Sequence, residues 1–413
     1  MRQRQNNKVI LLVLGVIAAL LITNVATFFI TYEIQLKQGD KVIVNLDEYE
    51  ELVDSYNKYS KVEYLQGFLH ENYLKDVTDE ELMNGVYRGI FESLDDPYSV
   101  YMTKEEFNDF MEQTEGSYGG IGVIVTPGDD NYITVVSPIE DTPGERAGIK
   151  PDDKIVKVND KEFTADQMSD AVKIMKGEPG TDVKVTILRK DKNNNNKFID
   201  VNITREEIKL VTVKSQMLED KIGYIRITSF DRETYDDFKK NLTSLQKDGM
   251  NGLIIDLRNN PGGLLDQCAK IADELMGKSV IVYTETKNKE REYLNSDKGK
   301  IDVPLVILVN GGSASASEIL SGAVKDTDSG VLIGTKTFGK GIVQRINPMS
   351  DGSGFKFTVS EYFTPSGVNI HGVGIEPNIE VELPEDIEEF GVNNIDNDTQ
   401  LQKGIEVIKE RMK

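Results

Sequence analysis

Three serines, Ser313, Ser315 and Ser317, alternate through the stretch AsnGlyGlySerAlaSerAlaSerGlu, directly after an apolar run ProLeuValIleLeuVal at 304–309. The run reads as a buried strand and the residues from about Ser317 as a helix, so the serines occupy a strand-to-helix corner. The first N–H groups of a helix are unspent and its dipole is positive at that end, which favours a developing oxyanion. Acyl transfer through a serine nucleophile is the chemistry such a corner can do. Serine needs a base, and the chain has only two histidines: His70 in a distant helical stretch, and His371 in a glycine-rich segment near the end of the core. A lysine serves if burial brings its pKa down from about 10.4 towards neutrality. Lys340, set between Gly339 and Gly341 in ThrPheGlyLysGly, is the unusual lysine, and Lys336 is the competing base. Serines at such corners also serve as helix caps, and an ordinary lysine is most often solvated.

Other chemistries fit less well. One cysteine, Cys268, excludes an intramolecular disulfide and a zinc site of several thiolates, and two histidines exclude a metal held by three. A second glycine-rich turn, ArgAsnAsnProGlyGly, follows the apolar strand LeuIleIleAspLeu at 253–257. Neither turn is a phosphate loop, because Pro261 interrupts the first and no lysine follows the glycines of the second. Asp191, Asn193 and Asn195 alternate as in a calcium loop, but the required glycine and distal glutamate are missing, so the segment reads as a polar hairpin tip. No metal and no cofactor is expected. With 70 acidic against 48 basic residues the net charge is −22, which repels a phosphate backbone and disfavours nucleic acid.

The elements that must position this chemistry can be read along the 413 residues, of which 38% are hydrophobic, enough for a substantial core. Arg2, Arg4 and Lys8 precede an uncharged apolar run from Val9 to about Phe29, the roughly 20 residues that span a hydrocarbon core. It reads as a membrane anchor (9–30) behind a short cytoplasmic tail (1–8), with a cleaved signal peptide as the rival. Basic residues before the span keep the N-terminus cytoplasmic and put the remainder outside. Residues 45–115 are charged, with apolar residues at helical spacing, and LeuAspAspProTyrSer at 94–99 breaks the pattern, since a residue before proline leaves the helical basin. Amphipathic helices packing on a neighbour or another subunit, rather than catalytic acids, are expected there.

From Tyr118 the chain turns β-rich, with TyrGlyGlyIleGlyValIleVal, strands at 133–136, 154–158 and 183–188, and one helix near 165–176. This segment (116–206) resembles a PDZ domain, the second part of the match being GluArgAlaGlyIleLysProAspAspLysIle at 145–155. Asp152 stands where glycine is more common, and aspartate tolerates the left-handed turn. Gly119, Gly120 and Gly122 would let backbone N–H groups converge on a peptide's terminal carboxylate, while the strand beginning at Ile121 accepts the peptide as an extra strand. Ala165, Met168, Val172 and Met175 share one face of the helix and form a wall for an apolar peptide end, or else domain core.

From 207 to 383 strands and helices alternate as in an α/β layer, and both glycine-rich turns sit at carboxyl ends of strands, where open α/β sheets place their sites. SerAlaSerAlaSerGlu and ThrPheGlyLysGly, with Gln344 four residues after the lysine, closely resemble the carboxyl-terminal processing peptidases, or tail-specific proteases. The 25-residue spacing of Ser315 and Lys340 agrees, as do LeuArgAsnAsnProGlyGly and TyrPheThrProSerGly at 362–367. The resemblance runs from about Leu46 to Val381. It implies Ser315 as nucleophile, Lys340 as general base and Gln344 as the residue holding the lysine amine. It also implies an oxyanion hole from the N–H of Ala316 and of either Gly262 or Gly263. The implied protein is an α+β multidomain, membrane-anchored serine endopeptidase with a Ser/Lys dyad, acting outside the cytoplasmic membrane on protein substrates with free C-termini. A silent PDZ scaffold is the alternative. The segment 384–413 is acidic, then helical from about Thr399, and fits a homodimer contact or a frayed tail.

Overall fold

The computed structural model describes residues 2–37, 45–190, 195–297, 299–384, 387 and 389–413, and within the first helix the side chains from 11 to 32. Asp191 and Asn193 of the calcium-like stretch lie outside the described residues. The chain divides into two units at Val86/Tyr87.

The first unit opens with the helix Arg2–Lys37, whose segment Leu11–Tyr32 is 22 residues of apolar sequence with none of it buried, long and apolar enough to cross a membrane. The next helix, Leu46–Asn72, starts where the Asn45 side chain accepts the Glu48 N–H at 2.8 Å, and Asp47 and Glu48 add favourable charge to its first turn. His70 is taken up by Asp79 at 2.8 Å.

In the second unit a PDZ sheet runs in the order Val123–Pro127, Ile133–Pro138, Lys154–Val158, Asp182–Lys190, Asn196–Thr204. Strand periodicity sets its core: Val183, Val185 and Ile187, every second residue of one strand, are buried together with Ile133, Val135 and Ile155. Val123–Pro127 pairs only with Ile133–Pro138 among the described residues and so forms an edge of the sheet. Sequence reasoning begins this strand at Ile121, but Gly122 at φ +70° turns the chain first. The expected helix 165–176 splits into a 3₁₀ turn, Ala165–Gln167, and an α-helix, Met168–Met175.

The α/β core carries a six-stranded sheet in the order Val213–Met217, Ile222–Ile227, Gly252–Asp256, Leu305–Val309, Val331–Gly334, Ile379–Glu380, parallel except for its first pair. All five residues of Leu305–Val309 are buried, because helices cover both faces of the sheet. Helices Thr234–Lys247, Leu265–Leu275 and Ala316–Asp326 supply one cover, and Thr399–Arg411 the other. The C-terminal helix is therefore no frayed tail: Leu401, Val407 and Ile408 pack on Ile222, Ile254 and Val306. It is pinned by Arg258, fully buried, whose guanidinium meets Asp256 at 2.6 Å and Asp398 at 2.8 Å beneath the Phe390 ring. A second sheet pairs Gly354–Phe363 with Ile342–Pro348, Val100–Met102 and Val280–Thr286.

Candidate active site

The two glycine-rich turns meet at the carboxyl ends of neighbouring strands, Gly252–Asp256 and Leu305–Val309. Ser313 donates its hydroxyl to the Leu257 carbonyl at 2.9 Å, Ser317 donates to the Asn260 carbonyl at 2.9 Å, and the Ala314 N–H reaches that same carbonyl at 3.0 Å. Both flanking serines are fully buried and spent on fastening one turn to the other. Ser315 stands between them, half-buried at the N-cap of Ala316–Asp326, its hydroxyl proton given to no acceptor among the described residues and its φ at +53°, a conformation that costs a non-glycine residue of order 1–3 kcal/mol. The neighbours tie the turns together and do not cap the helix, whereas Ser315 holds the N-cap position with its own N–H given to Glu318.

The first turn supplies the opposite wall. A Cβ on Gly262 would stand 2.8 Å from the Ser315 Cβ, so only glycine lets the backbone come this close. Gly262 donates its N–H to Asn260 Oδ1 at 2.9 Å. The N–H groups of Gly263 and Ala316 have no acceptor among the described residues.

Lys340 faces the same cavity of about 480 Å³ as Ser315, Gly262, Gly263, Ala316 and Gln344. Its Nζ donates to Gln344 Oε1 at 3.1 Å, and Nε2 of that glutamine is buried without a partner among the described residues. Burial, with help from the neighbouring Lys356 ammonium, pulls the Lys340 amine below the ordinary lysine range against the pull of Asp96 and Glu318. Burial lowers Lys356 as well. Lys336, the competing base, is about half exposed and ion-paired to Glu376 at 2.9 Å. His371 is exposed.

Sequence reasoning missed the residue that joins the two halves. Glu318, fully buried, accepts the Thr337 hydroxyl at 2.6 Å and the Gly339 N–H at 2.7 Å on one oxygen. On the other it accepts the Lys340 N–H at 2.8 Å and the Ser315 N–H at 2.9 Å. Its only signal was the spacing three residues after Ser315, that of a capping pair. Tyr362 makes a second tie, donating its hydroxyl to the Ser315 carbonyl at 3.1 Å and its N–H to the Gly341 carbonyl at 3.0 Å.

In the PDZ domain the three glycines do not act together. Gly119 and Gly120 lie inside the strand Ser117–Gly120 paired with Glu206–Lys209, and Gly119 accepts the Gly177 N–H at 3.0 Å. Ile121 and Gly122 alone form the loop before the edge strand. Their carbonyls are taken by Gly144 and Ile139, while their N–H groups have no acceptor among the described residues. Of the helix face, Met175 is buried in the domain core, whereas Ala165, Met168 and Val172 are half-buried.

Comparison with known proteins covers the same ground. Residues 221–381 match the model of peptidase family S41, 134–189 that of a PDZ domain, and 20–106 the N-terminal domain of the activating protease CtpB. The chain is 39% identical over 331 residues to the carboxy-terminal processing protease CtpA of Bacillus subtilis, covering 80% of this chain and 70% of that protein. It is 39% identical over 314 residues to a carboxy-terminal-processing protease of Bartonella bacilliformis, covering 74% and 71%. Among solved structures, the photosystem II D1 C-terminal processing protease aligns with a TM-score of 0.46 at 29% identity, over 81% of this chain and 90% of that one. By the extent of these sequence matches, the chain belongs to the carboxy-terminal processing proteases of peptidase family S41.

Proposed function

We propose that the protein is a membrane-anchored serine endopeptidase in which Ser315 is the nucleophile and Lys340 the general base. The observation that carries this is the pairing, in one cavity, of a strained serine, whose hydroxyl proton has no acceptor among the described residues, with a partly dehydrated lysine. Neutral Lys340 Nζ takes the Ser315 Oγ proton as the oxygen bonds to the substrate's carbonyl carbon, whose π electrons move to oxygen. That oxyanion is received by the N–H groups of Ala316 and Gly263, since the Gly262 N–H is already given to Asn260. The intermediate collapses by expelling the amine, which takes the proton from Lys340 and leaves an ester on Ser315. Water repeats the sequence, giving its proton to Lys340, and releases the new C-terminus with Ser315 protonated again. Gln344 holds the amine in line.

The unspent N–H groups of Ile121 and Gly122, ahead of a free edge strand, are the features that suit a PDZ domain receiving a substrate's C-terminal carboxylate. The apolar helix Leu11–Tyr32, behind Arg2, Arg4 and Lys8, holds the enzyme to the membrane with the peptidase outside. Labelling with a serine-reactive fluorophosphonate tests the reading: the wild type is labelled and Ser315→Ala is not. Labelling that survives Ser315→Ala removes the nucleophile, and a wild type that never labels fits a silent scaffold.

A further inference from the structure

The turn at 95–99, read from sequence only as a helix break, reaches the proposed base. Asp96 accepts the Tyr98 N–H at 3.0 Å, the Ser99 hydroxyl at 2.6 Å and the Thr358 hydroxyl at 2.7 Å, and the Ser99 hydroxyl accepts the Thr358 N–H at 3.0 Å. Thr358 is the cross-strand neighbour of Gln344. The turn is therefore riveted to the pair of strands that carries the lysine's partner. This fixes the Tyr98 ring over Lys340, with 4.7 Å from Nζ to the ring centroid and the His371 ring packed against its side at 6.4 Å.

We propose that Tyr98 is a positioning residue, whose ring caps the Lys340 amine, keeps water from it and confines it to Gln344. The proposal rests on the reading of Lys340 as base. An aromatic face attracts an ammonium, but it returns less than the water shell it displaces, so a capped amine holds its proton less tightly than a wet one. The other groups facing the amine are Lys356, which also disfavours the proton, and Asp96 and Glu318, which favour it. Both acids are spent on hydrogen bonds from the backbone and hydroxyls, and neither forms an ion pair with Lys340 among the described residues. Tyr98 is thus the neutral cover in a ring of opposed charges.

The test is the pH dependence of fluorophosphonate labelling of the full chain. Tyr98→Ala admits water and should move the rise in labelling rate to higher pH by about one unit, roughly tenfold slower at neutral pH, with the wild-type rate regained on the alkaline plateau. Tyr98→Phe keeps the ring and should restore the wild-type midpoint. Thr358→Val removes the hydroxyl tie to Asp96, keeps the backbone tie to Ser99 and nearly keeps the side-chain shape, and should shift the midpoint in the same direction by less. Should Tyr98→Ala prove unfolded by circular dichroism, the Thr358→Val midpoint decides. A lowered plateau at an unmoved midpoint means a merely structural contact and overturns the proposal. A wild-type rate independent of pH, or wild-type labelling of Lys340→Ala, overturns the base reading and this inference with it. A rising wild-type curve, a dead Lys340→Ala and an unmoved midpoint in both Tyr98→Ala and Thr358→Val overturn the Tyr98 inference alone.

Discussion

Glu318→Gln is the sharpest perturbation of the site, because the side chain keeps its shape and loses only acceptor capacity. The carboxylate receives four donors, two on each oxygen: Thr337 and Gly339 on one, Lys340 and Ser315 on the other. A glutamine amide can turn its oxygen to only one pair and sets an NH₂ against the other. Two donors in a fully buried place lose their acceptor, at about 1–3 kcal/mol each, or roughly 2–6 kcal/mol together. The loss is shared between the fold and the alignment of the site. If half falls on alignment, about 1–3 kcal/mol, labelling of Ser315 slows by roughly 5- to 160-fold, since 1.36 kcal/mol is a tenfold change in rate. Time courses of fluorophosphonate labelling at fixed pH, run beside thermal unfolding, separate the two shares. A Glu318→Gln protein that unfolds earlier yet labels at the wild-type rate would refute the idea that this carboxylate holds Ser315 and Lys340 together.

Four further expectations follow from the same geometry. On the proposed reading of Lys340 as a base that acts as the neutral amine, with burial lowering its pKa, labelling should rise with pH through that lowered value and then level off; Lys340→Arg should be inactive at every pH and Lys336→Ala nearly wild type, and the reverse pattern would hand the role of base to Lys336. Peptides with an apolar end and a free carboxylate should be cleaved better than their amides, and equal cleavage would sink tail recognition by the Ile121 and Gly122 N–H groups. Asp398→Ala leaves Arg258 buried with one carboxylate fewer and should cost about 3–5 kcal/mol in urea unfolding, whereas a loss under 1 kcal/mol would show that the C-terminal segment is not held by this pair. The protein should stay with membranes through a carbonate wash, with protease added to intact protoplasts reaching the PDZ domain; a soluble mature form starting near residue 27 would replace the anchor by a cleaved signal.

Much was legible in the sequence because it is written in local pattern. A 22-residue apolar run near the N-terminus marks a helix long enough to cross a membrane or a signal sequence, period-2 burial marks the PDZ strands, and an all-apolar run bounded by glycine marks a strand covered on both faces. The types of Ser315 and Lys340 at their glycine-rich segments suggested acyl transfer, but among the many serines and lysines of the chain it was the resemblance to the carboxyl-terminal processing peptidases that singled them out and added Gln344. What spacing could not express is how a hydrogen bond is spent. Ser313, Ser315 and Ser317 look alike in sequence; only the approach of the Leu257–Asn260 carbonyls engages the outer two and frees the middle one. Gly262 and Gly263 are equivalent until Asn260 claims one N–H, and Gly119 and Gly120 look like loop until Glu206–Lys209 pairs with them. Glu318 and Tyr98 sit 22 and 242 residues before Lys340, so their meeting with it depends on long-range strand pairing that leaves no periodic trace along the chain.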